Sequence, residues 1–241
     1  MLNGKRILVV VPARGGSKGV KLKNIQPIMG IPLIGYAANV IKELDYVDRA
    51  VVSTDHEGIA STAESYDLAA PFRRPEHLSG DRIGDWDVLY HALKTMEEQD
   101  SCQYDVVVML QPTSPLRTAE QVTEVVEKLI KNNYDSVWTV SETDSKNHPL
   151  NQFNIDPEGL LDYYDIATAK IVARQQLKPT YQRNGIAYAI TRECLEANKE
   201  IKTLRGGKTA AHVIDGYVAN IDTHFDLRLA EFLISEKSRG Q

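Results

Sequence analysis

Residues 12–24 read Pro12-Ala13-Arg14-Gly15-Gly16-Ser17-Lys18-Gly19-Val20-Lys21-Leu22-Lys23-Asn24. Glycines let backbone N–H groups come close to an anion, and Arg14, Lys18, Lys21 and Lys23 concentrate positive charge in the same short stretch. A polyphosphate is the ligand such a loop suits. It is neither of the two standard phosphate motifs. G-x-G-x-x-G is absent, and before Gly207-Lys208-Thr209 the position that G-x-x-x-x-G-K-[ST] reserves for glycine is Lys202. Dinucleotide oxidoreductase and P-loop readings therefore lose support.

Three further clusters carry polar groups for the remainder of such a ligand. Gln111-Pro112-Thr113-Ser114-Pro115-Leu116-Arg117 follows an apolar run, and its two prolines fix a rigid, kinked loop. That loop is expected to present the Gln111 amide, the Thr113 and Ser114 hydroxyls and the Arg117 guanidinium toward one crevice. In Tyr217-Val218-Ala219-Asn220-Ile221-Asp222-Thr223, strand alternation puts Asn220 and Asp222 on one face. The Asp222 carboxylate can there hold a hard divalent cation, since Mg2+ takes one or two carboxylates and completes its shell with phosphate oxygens and water. The competing role for Asp222 is capping the last helix. Arg183-Asn184-Gly185, with Arg174-Gln175-Gln176 upstream, offers guanidinium and amide groups to a sugar carboxylate and hydroxyls. No histidine pair has the H-x-x-x-H spacing and no Cys/His pair is evident, so histidine metal sites and cysteine nucleophiles lose support.

The elements that must position these clusters are legible from hydrophobic patterning. Residues 6–11 are apolar and β-branched without alternation, as in a parallel strand covered on both faces. Residues 50–54, 106–110, 136–140 and 186–190 have the same character. Between them, residues 33–41, 59–66, 86–99 and 119–132 follow a period near 3.6, the last behind a capping box formed by Thr118 and Gln121. A closing helix is expected over 225–235. Alternating strand and helix implies βαβ crossovers and a doubly wound α/β domain with a mostly parallel sheet. Ligands bind such sheets at the carboxyl ends of strands, where the glycine loop and the Gln111 loop both fall. Residues 143–183 break the rhythm: they are polar, hold Pro149, Pro157 and Pro179, and lack periodicity. The expected organisation is one α/β domain of residues 1–142 and 184–241, with residues 143–183 as an excursion, a flap or dimer arm.

Composition sets outer bounds. The chain has 241 residues, 42% hydrophobic and 25% charged, the profile of an ordinary globular protein with one large domain or a core plus a small appendage. Lys and Arg total 28 against 33 Asp and Glu, a net charge of −5, which disfavours a nucleic-acid partner. Only Cys102 and Cys194 are present, so neither a disulfide framework nor a cysteine-rich zinc site organises the fold, and a reducing, cytoplasmic setting is expected. No apolar run approaches the ~20 residues of a membrane span.

Taken in chain order, Ala13-Arg14-Gly15-Gly16-Ser17-Lys18-Gly19 with Leu22-Lys23-Asn24, Ser53-Thr54-Asp55, Arg74-Pro75, Leu110 to Arg117, Arg174-Gln175-Gln176, Arg183-Asn184-Gly185 and Ile221-Asp222-Thr223 resemble the CMP-sialic acid synthetases, the acylneuraminate cytidylyltransferases. The resemblance implies a nucleotide-diphospho-sugar-transferase-like fold in which residues 1–142 and 184–241 are the nucleotide-binding catalytic domain and residues 143–183 a dimerisation or substrate-lid excursion. It also implies a homodimer, and transfer of CMP from CTP to a nine-carbon 2-keto sugar acid with Mg2+ and release of pyrophosphate. By matching motif, Arg14, Lys18, Lys23 and Asp222 would be catalytic. Arg14, Gly15, Gly16, Ser17, Lys18, Asn24 and Arg74 would bind the nucleotide, with Arg74 near the cytosine. Gln111, Thr113, Ser114, Arg174, Arg183 and Asn184 would face the sugar acid, Arg174 reaching from the partner subunit. Asp222, with Asn220 beside it, would hold the metal. Two departures stand out: members acting on N-acetylneuraminate commonly carry Asp where this chain has Asn220, and Lys where Asn151 follows His148-Pro149-Leu150. A neutral amide at 151 suits a 5,7-diacetamido acid of the legionaminic type. The alternatives are activation of an eight-carbon ulosonate and a non-catalytic nucleotide-binding module.

Overall fold

Ile7, Val9 and Val11 face one side of the sheet while Leu8 and Val10 face the other, and all five are fully buried. That double burial is why the first strand reads as an unbroken apolar run. The computed structural model describes residues 1–170 and 173–239, apart from the side chains of 170, 174, 238 and 239. In chain order its elements are β1 (Ile7–Pro12), β2 (Pro27–Ile28), β3 (Ile31–Pro32), α1 (Leu33–Lys42), β4 (Arg49–Ser53), α2 (Glu57–Glu64), α3 (Asp85–Gln99), β5 (Val106–Met109), α4 (Ala119–Lys131), β6 (Ser136–Glu142), β7 (Phe153–Ile155), β8 (Leu161–Tyr163), β9 (Tyr181–Thr191), α5 (Arg192–Ala197), β10 (Thr209–Val213) and α6 (His224–Arg239).

The central sheet has the order β10-β6-β9-β5-β1-β4. β1 pairs in parallel with β4 and β5, and β10 with β6, while β9 runs antiparallel to both of its neighbours. The sheet is therefore mostly parallel, as expected. Ile34 and Ala37 of α1, Ile59 of α2 and Val122, Val125 and Leu129 of α4 cover one face. Trp86, Leu89, Leu93 and Met96 of α3 and Leu195 of α5 cover the other. The Thr118 capping box is present: Oγ1 accepts from Gln121 N at 3.3 Å, and Gln121 Oε1 accepts from Thr118 N at 3.1 Å.

Between β6 and β9 the chain leaves the sheet. Residues 143–180 hold several 3-10 turns and the β7–β8 hairpin, whose Phe153 and Tyr163 rings stack at 5.7 Å. Phe153, Ile155, Leu161, Tyr164 and Ile166 are exposed there, Ile166 by 79%. One expectation is corrected. Residues 217–219 form no strand; the segment is irregular, tied instead by Ile221 N donating to Thr113 O at 3.0 Å. β10 and α5 were not foreseen. No helix among the described residues is long and apolar enough to cross a membrane.

Candidate active site

The glycine loop leaves the carboxyl end of β1 and returns over it. Ala13 N donates to Ser53 O at 2.9 Å, and Gly15 N to the Asp55 carboxylate at 2.9 Å, so the end of β4 and the turn after it hold the loop. A Cβ on Gly19 would sit 2.2 Å from the Asp222 carbonyl oxygen, which makes glycine necessary where the loop meets the 220–222 segment. Asn24, nearly buried, donates to Arg14 O at 3.1 Å and fixes the loop's far end.

This loop forms one wall of a cavity of about 690 Å3 that brings together Arg14, Ser17, Lys18, Lys23, Asn24, Arg74, Gln111, Thr113, Arg183, Asn220 and Asp222. Lys23 Nζ stands 2.7 Å from Asp222 Oδ1 and 2.6 Å from Ile221 O. The Asp222 side chain is 72% exposed and does not cap α6. Thr223 and Asp226 perform that task, with Asp226 Oδ2 accepting from Thr223 N at 2.7 Å and Asp222 N at 3.0 Å. Burial pushes the Asp226 carboxyl up, but these hydrogen bonds outweigh it and hold its pKa below the usual value. Arg74 is buried, and its Nε and Nη2 find no hydrogen-bond partner among the described residues. Desolvation lowers its pKa. Two unmet donors on the wall of a cavity suit the carbonyl and ring nitrogen of a base.

A second, polar cavity of about 800 Å3 adjoins the first and is lined by Ser141, Thr143, Asn147, His148, Lys178, Gln182, Arg183, Asn184 and Asn220, among others. The excursion supplies much of its wall. Asn184 is buried and donates to Ser141 Oγ at 3.1 Å. Gly185, at φ +76°, sits within β9 where its register against β6 shifts; a Cβ there would lie 2.6 Å from Gln111 Oε1.

The family described as cytidylyltransferase matches residues 8–232. The chain belongs to the cytidylyltransferase family. It is 31% identical to the post-translational flagellin modification protein B of Campylobacter coli, over 96% of both chains. It is 32% identical to the CMP-N,N'-diacetyllegionaminic acid synthase of Legionella pneumophila, over 95% of this chain and 96% of that protein. Among solved structures, a CMP:2-keto-3-deoxy-manno-octonic acid synthetase complexed with CTP superposes with a TM-score of 0.68, covering 96% of this chain and 99% of that one. At 15% identity, that likeness bears on the fold.

Not every residue singled out in this cytidylyltransferase reaches a cavity. Gly15 and Gly16 shape the loop and lie outside both linings. Ser114 is buried and donates to Asn184 O at 3.2 Å. Arg117 is the clearest correction. Its guanidinium is fully buried rather than turned to the crevice, donating to Gln111 O at 2.6 Å, Gly185 O at 3.0 Å and Ile186 O. Desolvation pushes its pKa down to about 9. Asn151 donates to Ser145 O and lies outside both linings. The Arg174 side chain lies outside the described residues. Three residues were missed. Asp81 spans Arg14 at 2.7 Å and Lys18 at 2.6 Å; Asp85 pairs with Arg183 at 3.3 Å; Tyr188 lines the first cavity and accepts from Gly185 N at 2.8 Å.

Proposed function

We propose that this cytidylyltransferase moves CMP from CTP to the anomeric hydroxyl of a nine-carbon 2-keto sugar acid and releases pyrophosphate. The observation that carries the reading is the pairing of a cation-lined cavity with an adjoining polar one. Arg14, Lys18 and Lys23 would hold the triphosphate, Ser17 would add a hydroxyl, and the buried donors of Arg74 would meet the cytosine. Gln111, Thr113 and Asn184 would orient the sugar acid. Binding both substrates in register converts a bimolecular displacement into an intramolecular one, and fixed cations offset the charge of the α-phosphate.

The donor set at Asp222 fits Mg2+. Its carboxylate is exposed and has one oxygen not claimed by Lys23, while no group of three or more His, Cys, Asp or Glu among the described residues could form a closed protein site. An ion there would rely on Asp222, with the Asn220 amide nearby and phosphate oxygens and water completing its shell. When bound, it supplies charge neutralisation at the phosphates.

For the sugar, we favour a 5,7-diacetamido acid of the legionaminic type. The similarity to the Legionella synthase supports this, as do the neutral amides and hydroxyls of Ser141, Thr143, Asn147, Gln182 and Asn184 around the second cavity, which can both donate to and accept from acetamido groups. Pyrophosphate release with CTP and Mg2+ across a panel of N,N'-diacetyllegionaminate, N-acetylneuraminate and an eight-carbon ulosonate tests both levels. The expected result is release with the nine-carbon acids and a higher kcat/KM for the legionaminate. Preference for the eight-carbon acid sinks the reaction as stated, and a preference above about tenfold for N-acetylneuraminate, some 1.4 kcal/mol, sinks the choice of sugar.

A further inference from the structure

Arg183 and Asn220 line both cavities, and of the two only Arg183 carries a charge. Its guanidinium lies 5.5 Å from the Trp138 ring centroid and 5.7 Å from that of Tyr188, and one N–H donates to Asp85 Oδ2 at 3.3 Å. Two aromatic rings and one carboxylate restrict its orientation, yet the side chain is 51% exposed and keeps donors for a ligand. Arg14, Lys18 and Lys23 reach the nucleotide side alone, and Lys178 the sugar side alone.

We propose that Arg183 is a catalytic residue of the CMP transfer, donating to the oxygens on the α-phosphorus as the sugar hydroxyl adds, and that Asp85 is its positioning residue. The inference rests on the reaction proposed above. In that reaction the anomeric oxygen bonds to the α-phosphorus, and the bond from that phosphorus to the pyrophosphate oxygen breaks. Pyrophosphate leaves with the electron pair, and the hydroxyl proton passes to water. The carbon bearing the attacking hydroxyl also bears the sugar's carboxylate, so two anions must approach at the boundary between the cavities. A fixed guanidinium at that boundary offsets their repulsion, and its fork can bond two phosphoryl oxygens at once. The exposed Asp85 contact is weak enough to yield to a phosphate.

Wild type, Arg183→Met and Arg183→Lys are compared for pyrophosphate release with CTP and N,N'-diacetyllegionaminate or N-acetylneuraminate. CTP affinity by calorimetry and melting temperature are measured alongside. Methionine retains an apolar stem against Trp138 and Tyr188 but no donor. Arg183→Met is expected to lower kcat about 100-fold, with CTP affinity within about twofold of wild type. Arg183→Lys is expected to recover about tenfold of that loss, because it keeps the charge and loses the fork. If wild type releases no pyrophosphate with any nonulosonic acid, the transfer reading fails and this inference fails with it. An active wild type beside an Arg183→Met whose kcat stays within about threefold overturns the role of Arg183 alone, as does a loss confined to CTP affinity. Should Arg183→Met not fold, an Arg183→Lys as fast as wild type overturns the proposal, and one about tenfold slower at unchanged CTP affinity supports it.

Discussion

Removing the charge from Asp222 while keeping its shape separates a metal-holding role from a structural one. Thr223 and Asp226 already cap α6, so Asp222→Asn is expected to leave the melting temperature unchanged. Its kcat should fall about 100-fold, the scale of losing one fixed charge contact in a transition state. Wild-type turnover at saturating Mg2+ would discard the metal assignment. At this scale the site was legible wherever its chemistry is local: glycines and cations packed into residues 12–24 announce an anion loop without help from the fold. Asp81, Asp85 and Tyr188 gave no such signal, because they come from the turn into α3 and from β9 and meet the glycine loop and Arg183 only through tertiary packing: Asp85 and Tyr188 line the cavity, and Asp81 pairs with Arg14 and Lys18. Arg117 fails in the opposite direction. Its type and place after two prolines suggest a ligand contact, but β9 passes close enough to bury it against main-chain carbonyls.

Elements bring these residues together, and the joints between elements can be tested. Arg117 fastens the loop after β5 to the start of the buried half of β9 through its bonds to Gln111, Gly185 and Ile186. Arg117→Met removes the guanidinium donor from all three carbonyls, of which Gln111 O keeps only its bond from Ser114 N at 3.3 Å, and should cost about 3 kcal/mol in denaturant unfolding, whereas a cost below about 0.5 kcal/mol means the joint is held otherwise. A second joint lies between the glycine loop and the turn before α3, where Asp81 pairs with Arg14 and Lys18, the cations proposed for the triphosphate. Hydrogen bonds from Lys18 and Arg14 hold the Asp81 carboxyl below its usual pKa, so the contact persists at neutral pH and is lost as pH falls through that lowered value. Asp81→Asn therefore frees both cations, and KM for CTP should fall about two- to fivefold, the modest scale of exposed ion pairs. A rise in KM instead means that Asp81 shapes the loop rather than competing with the ligand. The strands at the centre of the sheet were readable because both of their faces are buried. β10 was not: it is a short edge strand with His212 paired to Glu124, and its pattern carries little apolar weight. Residues 217–219 read as a strand from their types alone, yet no neighbouring strand pairs with them among the described residues.

The whole molecule presents an imbalance between a sheet with both faces covered and an excursion whose apolar side chains have little over them. Phe153, Ile155, Leu161, Tyr164 and Ile166 lie exposed within residues 143–180, and single-chain proteins rarely leave such a cluster in water. A second copy of the chain is the occupant we propose, which agrees with the homodimer implied by the family resemblance. Light scattering is expected to give about twice the chain mass of 26.9 kDa at micromolar concentration. Ile155→Asp with Ile166→Asp places two charges on that surface and should yield monomers. The same excursion also walls the cavity proposed for the sugar, through Thr143, Asp144, Asn147, His148 and Lys178. The cavity proposed for the nucleotide takes none of its lining from residues 143–180 and draws on the glycine loop and on residues of β1, β9 and the loop after β5 among others. Loss of the dimer should therefore raise KM for the sugar acid while CTP affinity stays within about twofold of the dimer's. A wild-type monomer at these concentrations refutes the dimer. Monomeric variants with unchanged kinetics for both substrates would show that each chain completes its sugar cavity alone.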